Sequence, residues 1–323
     1  MIAVPHATGR PLKIGLFLPF AERMLDGETP RWADLLAMAQ LAEQIGCDAL
    51  WFGDHLSLHV SDPAGCWEAW TLLSALAATT TRVQLGPLVS PTSFRNPALL
   101  AKMAATLDEV SDGRLILGLG AGYVEEEYRA FGFPYDHRGS RFVEAFAIIT
   151  GLLRTGYVDF AGTYYQAREC ALRPRGPRPQ GPPIIVGTRG QRLLRLTAEG
   201  ADGWNAWLVN AQPGSSALAA ARPALVELDA ACRAVGRDPA TLDRSVTIAI
   251  DTTGATVAAH AFPPPGGYAP LVGDPAMLAR QLAAFAAEGI DQLQLALVPC
   301  TLATIAALAP VLEELDRLGA RAD

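Results

Sequence analysis

Short apolar runs alternate with stretches of helical spacing along almost the whole chain. Lys13–Leu18 (KIGLFL) is a compact apolar run of strand length. Leu35, Met38, Ala42 and Ile45 then recur at intervals of three and four, the stripe of one helix face. Thr29 is expected to cap that helix, with Pro30 at its first position and Gly46 ending it. Asp48–Gly53 predicts a second strand, Trp67–Thr80 a helix, and Val83–Val89 a third strand interrupted by Gly86-Pro87. Asn96–Val110 follows as a helix and Leu115–Leu119 as a fourth strand.

The middle of the chain is longer. Tyr123–Phe131 and Arg138–Leu153 read as helices, Asp159–Tyr165 as a small extended excursion, and Arg173–Pro183 as a loop. Ile184–Gly187, Gly203–Ala206, Ser245–Ile250 and Gln292–Val298 complete the strands. Between them fall helical segments at Gln191–Glu199, Ala217–Val235 and Asp274–Glu288. Asp251–Gly273 is a long Pro- and Gly-rich loop. Leu302–Leu318 is a last helix that Pro310 is expected to kink. Strands alternating with helices imply a parallel sheet, and eight such units are the number that closes a (β/α)8 TIM barrel. A doubly wound open sheet is the competing α/β architecture. Residues 1–12 are expected as a flexible N-terminal segment and residues 13–323 as one domain with insertions in the βα loops.

Composition narrows the partners. Half of the 323 residues are hydrophobic, enough for a large core, yet the excess is mostly alanine and no uninterrupted apolar segment reaches membrane-spanning length. The N-terminus shows no basic start followed by an apolar block, so a cytoplasmic location is expected. A net charge of −7 disfavours nucleic acid, which needs a clustered positive surface. The five cysteines are widely spaced without a C-x-x-C pair, as buried reduced thiols would be. No metal is expected: His59 follows His55 by four residues, but no third ligand accompanies them. His6, His137 and His260 have no supporting context.

In a barrel, chemistry sits where strands end and the loops toward the helices begin. That rule selects Asp54-His55, Gly86-Pro87-Leu88 with Ser90, Gly118–Tyr123, Gly187-Thr188-Arg189-Gly190 and Trp204–Trp207. His55 is the residue type that exchanges a proton near neutral pH, with Asp54 as its expected orienting partner. Gly187–Gly190 opens a helix and suits an anion, with Arg189 adding positive charge. Gly118–Gly122 is G-x-G-x-G and precedes Glu125, Glu126 and Glu127, which suit a helix's first turn but repel phosphate. That loop either presses its backbone against a ring or packs strand against helix. Trp204–Trp207 is either a flat apolar surface for a ring or ordinary core.

At these residues the chain resembles the bacterial luciferase-like flavin-dependent oxidoreductases, including their deazaflavin (coenzyme F420) branch. The resemblance runs from about Lys13 to Leu318 and is carried by "GCDALWFGDHL", by "RVQLGPLVSPTSFRNPALLAKMAATLDEVSDGRLILGLGAGYVEEEYRAFGFPYDHRGSRF" and by "PPIIVGTRGQRLLRLTAEGADGWN". It implies a cofactor at the barrel's C-terminal mouth and a homodimer. It implies that Gly187, Thr188, Arg189 and Gly190 hold the cofactor phosphate, and that Pro87, Leu88, Ser90, Gly120, Ala121 and Gly122 line the cofactor. It implies that Asp54-His55 lies beside the redox ring, and that the third strand carries a cis bond, which falls at Pro87-Leu88. Sugar-phosphate dehydrogenases of this kind have an acid where Tyr123 stands and an aromatic where Ser57, Leu58 and His59 stand, so a sugar phosphate is not expected.

These expectations amount to hydride transfer between coenzyme F420 and a small, fairly apolar organic substrate, with His55 as acid or base. An FMN-dependent monooxygenase and a non-catalytic flavin-binding barrel are the rival readings. F420 has an acidic tail, for which Arg189, Arg173, Arg175 and Arg178 are candidate partners. The loop Asp251–Gly273 and the segment around Tyr164 and Tyr165 are candidate lids.

Overall fold

The computed structural model describes residues 9–58, 63–208, 217–252 and 270–320. Strand β1 (Lys13–Phe17) leads to helix α1 (Trp32–Gln44) and strand β2 (Ala49–Phe52). The two-residue strands β3 (Ser57–Leu58) and β4 (Ala64–Gly65) form a hairpin before α2 (Ala69–Thr79). The third barrel strand comes in two pieces, β5 (Gln84–Pro87) and β6 (Ser90–Pro91), and is followed by α3 (Pro97–Val110) and β7 (Leu117–Gly120). Helices α4 (Glu125–Phe131) and α5 (Arg138–Thr155) precede an antiparallel hairpin, β8 (Tyr157–Ala161) and β9 (Gln166–Ala171). Next come β10 (Ile184–Gly187), α6 (Gln191–Gly200), β11 (Gly203–Trp207), α7 (Ala217–Ala234), β12 (Asp243–Asp251) and β13 (Leu271–Val272). The chain ends with α8 (Pro275–Ala287), β14 (Gln292–Leu297), α9 (Leu302–Ala306) and α10 (Ala309–Gly319).

Side chains cap the starts of several helices. Asn96 accepts from Ala98 and Leu99 N–H with Pro97 in the first turn, and Asp274 accepts from Met277 N–H ahead of Pro275. Both use acceptors where the helix leaves donors orphaned and place proline where no N–H is needed.

The sheet is a parallel barrel. Its hydrogen-bonded order is β5-β2-β1-β14-β12-β11-β10-β7-β6, with β13 beside β12. The two ends of that path, β5 and β6, are halves of one interrupted strand, and Leu85 also bridges to Leu115 in parallel. Eight staves therefore close on themselves, as the alternation predicts, and the open-sheet alternative falls. Trp51 fills the lumen. A Cβ on Gly15 would lie 2.4 Å from its Nε1, and one on Gly86 would lie 2.5 Å from its ring, so glycine on both neighbouring strands makes the space. At the strand starts, a cavity of about 30 Å³ lies among Lys13, Gln84, Ser245 and Gln292. Gln84 Nε2 and Gln292 Nε2 lack protein partners there, as side chains solvated by an internal water do.

Several expectations are corrected. Helix α1 begins at Trp32, not after Thr29: Arg31 N–H donates to Asp34 (2.8 Å), while the Pro30 carbonyl accepts from Trp67 Nε1 (2.8 Å). Pro310 does not kink a continuous helix. The chain stops at α9 and restarts, with Pro310 in the first turn of α10. Gly9–Leu12 are not a flexible tail. Arg10 is buried and bonds Asp316 (2.7 Å) and the Gly46 carbonyl (2.9 Å), and Leu12 is in the core. Residues 1–8 lie outside the described residues. The cis bond is Leu88-Val89, one residue beyond the expected Pro87-Leu88. Pro87 is still in register with Phe52, and Leu88 N–H donates to the Phe52 carbonyl (2.7 Å), so regular pairing persists past the expected point.

Leu88 and Val89 separate the two pieces of the third strand, and β7 has room for this bulge because it is glycine-rich. A Cβ on Gly118 would stand 2.1 Å from the Pro87 carbonyl oxygen. Gly118→Ala is therefore expected to destabilise the fold by about 1–3 kcal/mol, read as a lowered urea midpoint with an unchanged m-value.

Candidate active site

The C-terminal end of β2 delivers Asp54 and His55 to the barrel mouth. Asp54 is buried, and its partners lie on the third strand and beyond. Ser90 Oγ donates to it at 2.6 Å, and Arg95 reaches it with Nη1 at 2.6 Å and Nη2 at 3.1 Å. Trp70 Nε1 donates to Ser90 Oγ (2.9 Å), and Arg95 also bonds Glu68, which caps α2. Burial by itself would lower the Arg95 pKa, but Asp54 and Glu68 outweigh it and hold the guanidinium above its ordinary value. The expected role of Asp54 in orienting His55 is thus overturned: its oxygens face a cation and a hydroxyl across the strand, not the imidazole.

The carboxylate at His55 is Glu127, from α4. Its Oε1 lies 3.3 Å from His55 Nδ1, and its Oε2 accepts from the N–H of Leu56 (2.5 Å) and Ser57 (3.0 Å). Glu125 and Glu126 are exposed, as first-turn acids on a helix should be, whereas Glu127 is 1% exposed. As one of three first-turn acids Glu127 does not stand out in the sequence. Its one local signal is adjacency to Tyr128, a buried aromatic that marks the inward face of α4.

Aromatic rings wall His55. Phe20 lies nearly parallel at 6.4 Å between centroids, and Tyr123 meets it edge-on at 5.6 Å. Phe20 also fills the space over Gly53, where a Cβ would stand 2.6 Å from its ring. Trp207 packs edge-on against Phe17 (5.4 Å) at the end of β11. Trp204 is core, its Nε1 donating to the Thr188 carbonyl (3.0 Å), whereas Trp207 is partly exposed.

The β7 glycines serve close packing. Cβ atoms on Gly120 and Gly187 would press on Val89 at 2.6 and 3.0 Å, and one on Gly122 (φ 72°) would overlap the Tyr128 hydroxyl. That hydroxyl bonds Ser93 Oγ (2.8 Å) and the Ala121 carbonyl (3.0 Å), while Arg138 holds the Gly122 carbonyl. Ala121 and Gly122 are thereby locked from behind, and Pro87, Leu88 and Ser90 belong to the same packed wall.

The loop after β10 is different. Gly190 (φ 91°) is the N-cap of α6, no side chain caps that helix, and nothing stands within 4 Å of a Cβ placed there. The first turn of this ten-residue helix has no side-chain cap, an arrangement suited to an anion. Thr188 Oγ1 turns back to the Arg189 carbonyl (3.2 Å), and Arg189 reaches the Trp207 carbonyl (2.8 Å). Arg192 bonds Ser140 Oγ (3.1 Å) at the start of α5.

The other expected arginines lie elsewhere. Arg173–Pro183 precedes β10, so it belongs to the strand-start end of the barrel. Arg178 there pairs with Asp108 and the Leu115 carbonyl (2.5 Å), and Arg175 holds the Leu153 carbonyl (2.8 Å) at the end of α5. The β8–β9 tip is strapped down instead of forming a free lid. Glu144 of α5 accepts from the N–H groups of Thr163, Tyr164 and Tyr165 (2.8, 2.8 and 3.0 Å). Most of the Asp251–Gly273 loop, together with His6, His59 and His260, lies outside the described residues. Burial pushes the thiols of Cys47, Cys66 and Cys300 up to about 12, Cys66 being further opposed by Glu127 and Glu22, so none is a ready nucleophile. Among the described residues, no group of three or more His, Cys, Asp or Glu gathers as a metal site would require, and no helix is long and apolar enough to cross a membrane.

Comparison with known proteins adds to this geometry. The sequence model of the luciferase-like monooxygenases matches residues 12–260. An F420-dependent glucose-6-phosphate dehydrogenase of Beutenbergia cavernae is 37% identical over 177 residues, 53% of this chain and 51% of the relative. A phthiodiolone/phenolphthiodiolone dimycocerosates ketoreductase of Mycobacterium bovis is 30% identical over 247 residues, 70% of this chain and 62% of the relative. The chain thus spans about half to three-fifths of the length of these curated relatives. A solved F420-dependent secondary alcohol dehydrogenase, in complex with an F420-acetone adduct, superimposes with a TM-score of 0.74. It is 20% identical, and the match covers 94% of this chain and 99% of that one, a likeness of fold.

Removing Arg95 would leave Asp54 buried without its cation. Arg95→Met is expected to cost about 3–5 kcal/mol of stability, measured by chemical denaturation, with a loss well below 1 kcal/mol refuting the assigned linkage.

Proposed function

The chain belongs to the luciferase-like monooxygenase family, and on that premise we propose that it is an F420-dependent oxidoreductase moving hydride between the cofactor and a small organic alcohol or carbonyl. The observation that carries this reading is His55: a partly exposed imidazole at a strand end, held by a carboxylate and walled by Phe20 and Tyr123. The F420-dependent relatives support the choice of cofactor. The uncapped first turn of α6, open over Gly190, fits the cofactor's phosphate, with Thr188, Arg189 and Arg192 beside it. When bound, F420 supplies the two-electron hydride chemistry.

The protein's own residues do the rest. His55 takes the hydroxyl proton of an alcohol as it becomes a carbonyl, or returns it in the reverse direction. The rings of Phe20 and Tyr123 beside His55 favour an apolar substrate. Tyr123, standing where sugar-phosphate dehydrogenases carry an acid, argues against that substrate class. We read the protein as a cytoplasmic homodimer acting on small molecules, in keeping with the family resemblance and an acidic chain without a clustered basic surface motif.

A fluorescence titration of cofactor-free protein with F420 and with FMN tests the assignment. Tight binding of F420 alone is expected. Tight binding of FMN alone would move the protein to the oxygen-using branch, and binding of neither would overturn the cofactor assignment. His55→Ala is expected to lower turnover by about 10²–10⁴-fold while leaving the cofactor Kd unchanged. Unaltered turnover would remove His55 from the mechanism.

A further inference from the structure

We propose that Glu127 is the positioning residue of this site, holding His55 as its Nδ1–H tautomer so that Nε2 is the nitrogen that meets the substrate. The inference rests on the reading of His55 as the proton-transfer group. Three features of the geometry carry it. An ionised carboxylate only accepts hydrogen bonds. Oε2 of Glu127 is already occupied by two backbone N–H groups, so Oε1 at 3.3 Å from Nδ1 is the atom left to accept the ring proton. Long contacts of this kind are common before a substrate closes the site.

The backbone groups held by Oε2 belong to Leu56 and Ser57, the two residues after His55. One carboxylate therefore fixes both the ring and the chain that carries it. Phe20 lies over one face of the ring and Tyr123 meets it edge-on, and the ring stays partly exposed, so Nε2 can be reached. Asp54 cannot substitute, because Arg95 and Ser90 hold its oxygens on the other side. Cys66 near Glu127 stays a neutral thiol and does not compete for the charge.

The proton path follows. Neutral His55 keeps its proton on Nδ1 toward Glu127 and offers the Nε2 lone pair. In alcohol oxidation Nε2 would take the O–H proton as the carbonyl forms, and F420, when bound, would supply the acceptor for the C–H hydride. The imidazolium retains the Nδ1–H bond to Glu127 and returns its Nε2 proton to solvent or, in reduction, to the alkoxide oxygen.

The test begins with unaltered protein lacking cofactor. Long-range ¹H–¹⁵N spectra of the histidine-labelled chain, recorded where His55 is neutral, should show a protonated Nδ1 and a bare Nε2. A protonated Nε2 would overturn the proposal even if His55→Ala abolishes turnover, and would leave the proposed function standing. Glu127→Gln should lose the fixed tautomer and lower kcat by at least about 10²-fold with the F420 Kd unchanged. A Gln variant that keeps both tautomer and kcat would refute the role. If the tautomer is as expected but His55→Ala retains turnover, the proton-transfer reading fails and Glu127's part in it falls as well.

Discussion

The buried contact between Asp54 and Arg95 is the constraint on which the barrel mouth depends. A carboxylate with almost no solvent must find a cation and further donors, or it is too costly to keep ionised. Asp54 finds two guanidinium nitrogens and the Ser90 hydroxyl. Ser90 lies on β6, after the bulge, and Arg95 follows the short turn beyond it. The end of the second strand is thereby tied to the point where the third strand resumes. Trp70 and Glu68 extend the tie to α2, so three successive elements meet at one charge.

Glu127 works from the opposite side. The two carboxylates near His55 are both buried, yet their surroundings give them different tasks. Asp54 is neutralised by a fixed cation and secures strands, whereas Glu127 has backbone N–H groups and an imidazole for partners. Only the second touches the ring. His55 sits between them on a segment held at both ends, which is how a loop residue acquires the fixed position that acid–base chemistry requires.

Glycine determines where the mouth is packed and where it is open. Gly118, Gly120, Gly122 and Gly187 give up their side-chain volume to Pro87, Val89 and Tyr128, making a dense wall from the third strand to the fifth. Gly190 gives up its side chain to nothing, and the turn it caps is open. The same residue type thus marks a filled seam in one loop and an uncapped helix start in the next.

The sequence by itself determined the architecture and the strand-end positions of the candidate residues. Apolar spacing and strand-ending glycines are local signals within a few residues, and they located eight strands, most helices, and the strand-end positions of His55 and the Gly190 turn. Only the tertiary structure decided which groups meet. Glu127 is 72 positions from His55, and Arg95 is 41 from Asp54. No periodicity links such pairs; barrel closure brings one βα loop beside the next and turns a single face of α4 inward. The same closure sends the Arg173–Pro183 loop to the strand-start end and the β8–β9 tip onto α5, away from the roles their composition suggested. Local pattern specifies elements because it reflects backbone geometry, whereas partners across the mouth depend on how the closed barrel packs its loops together.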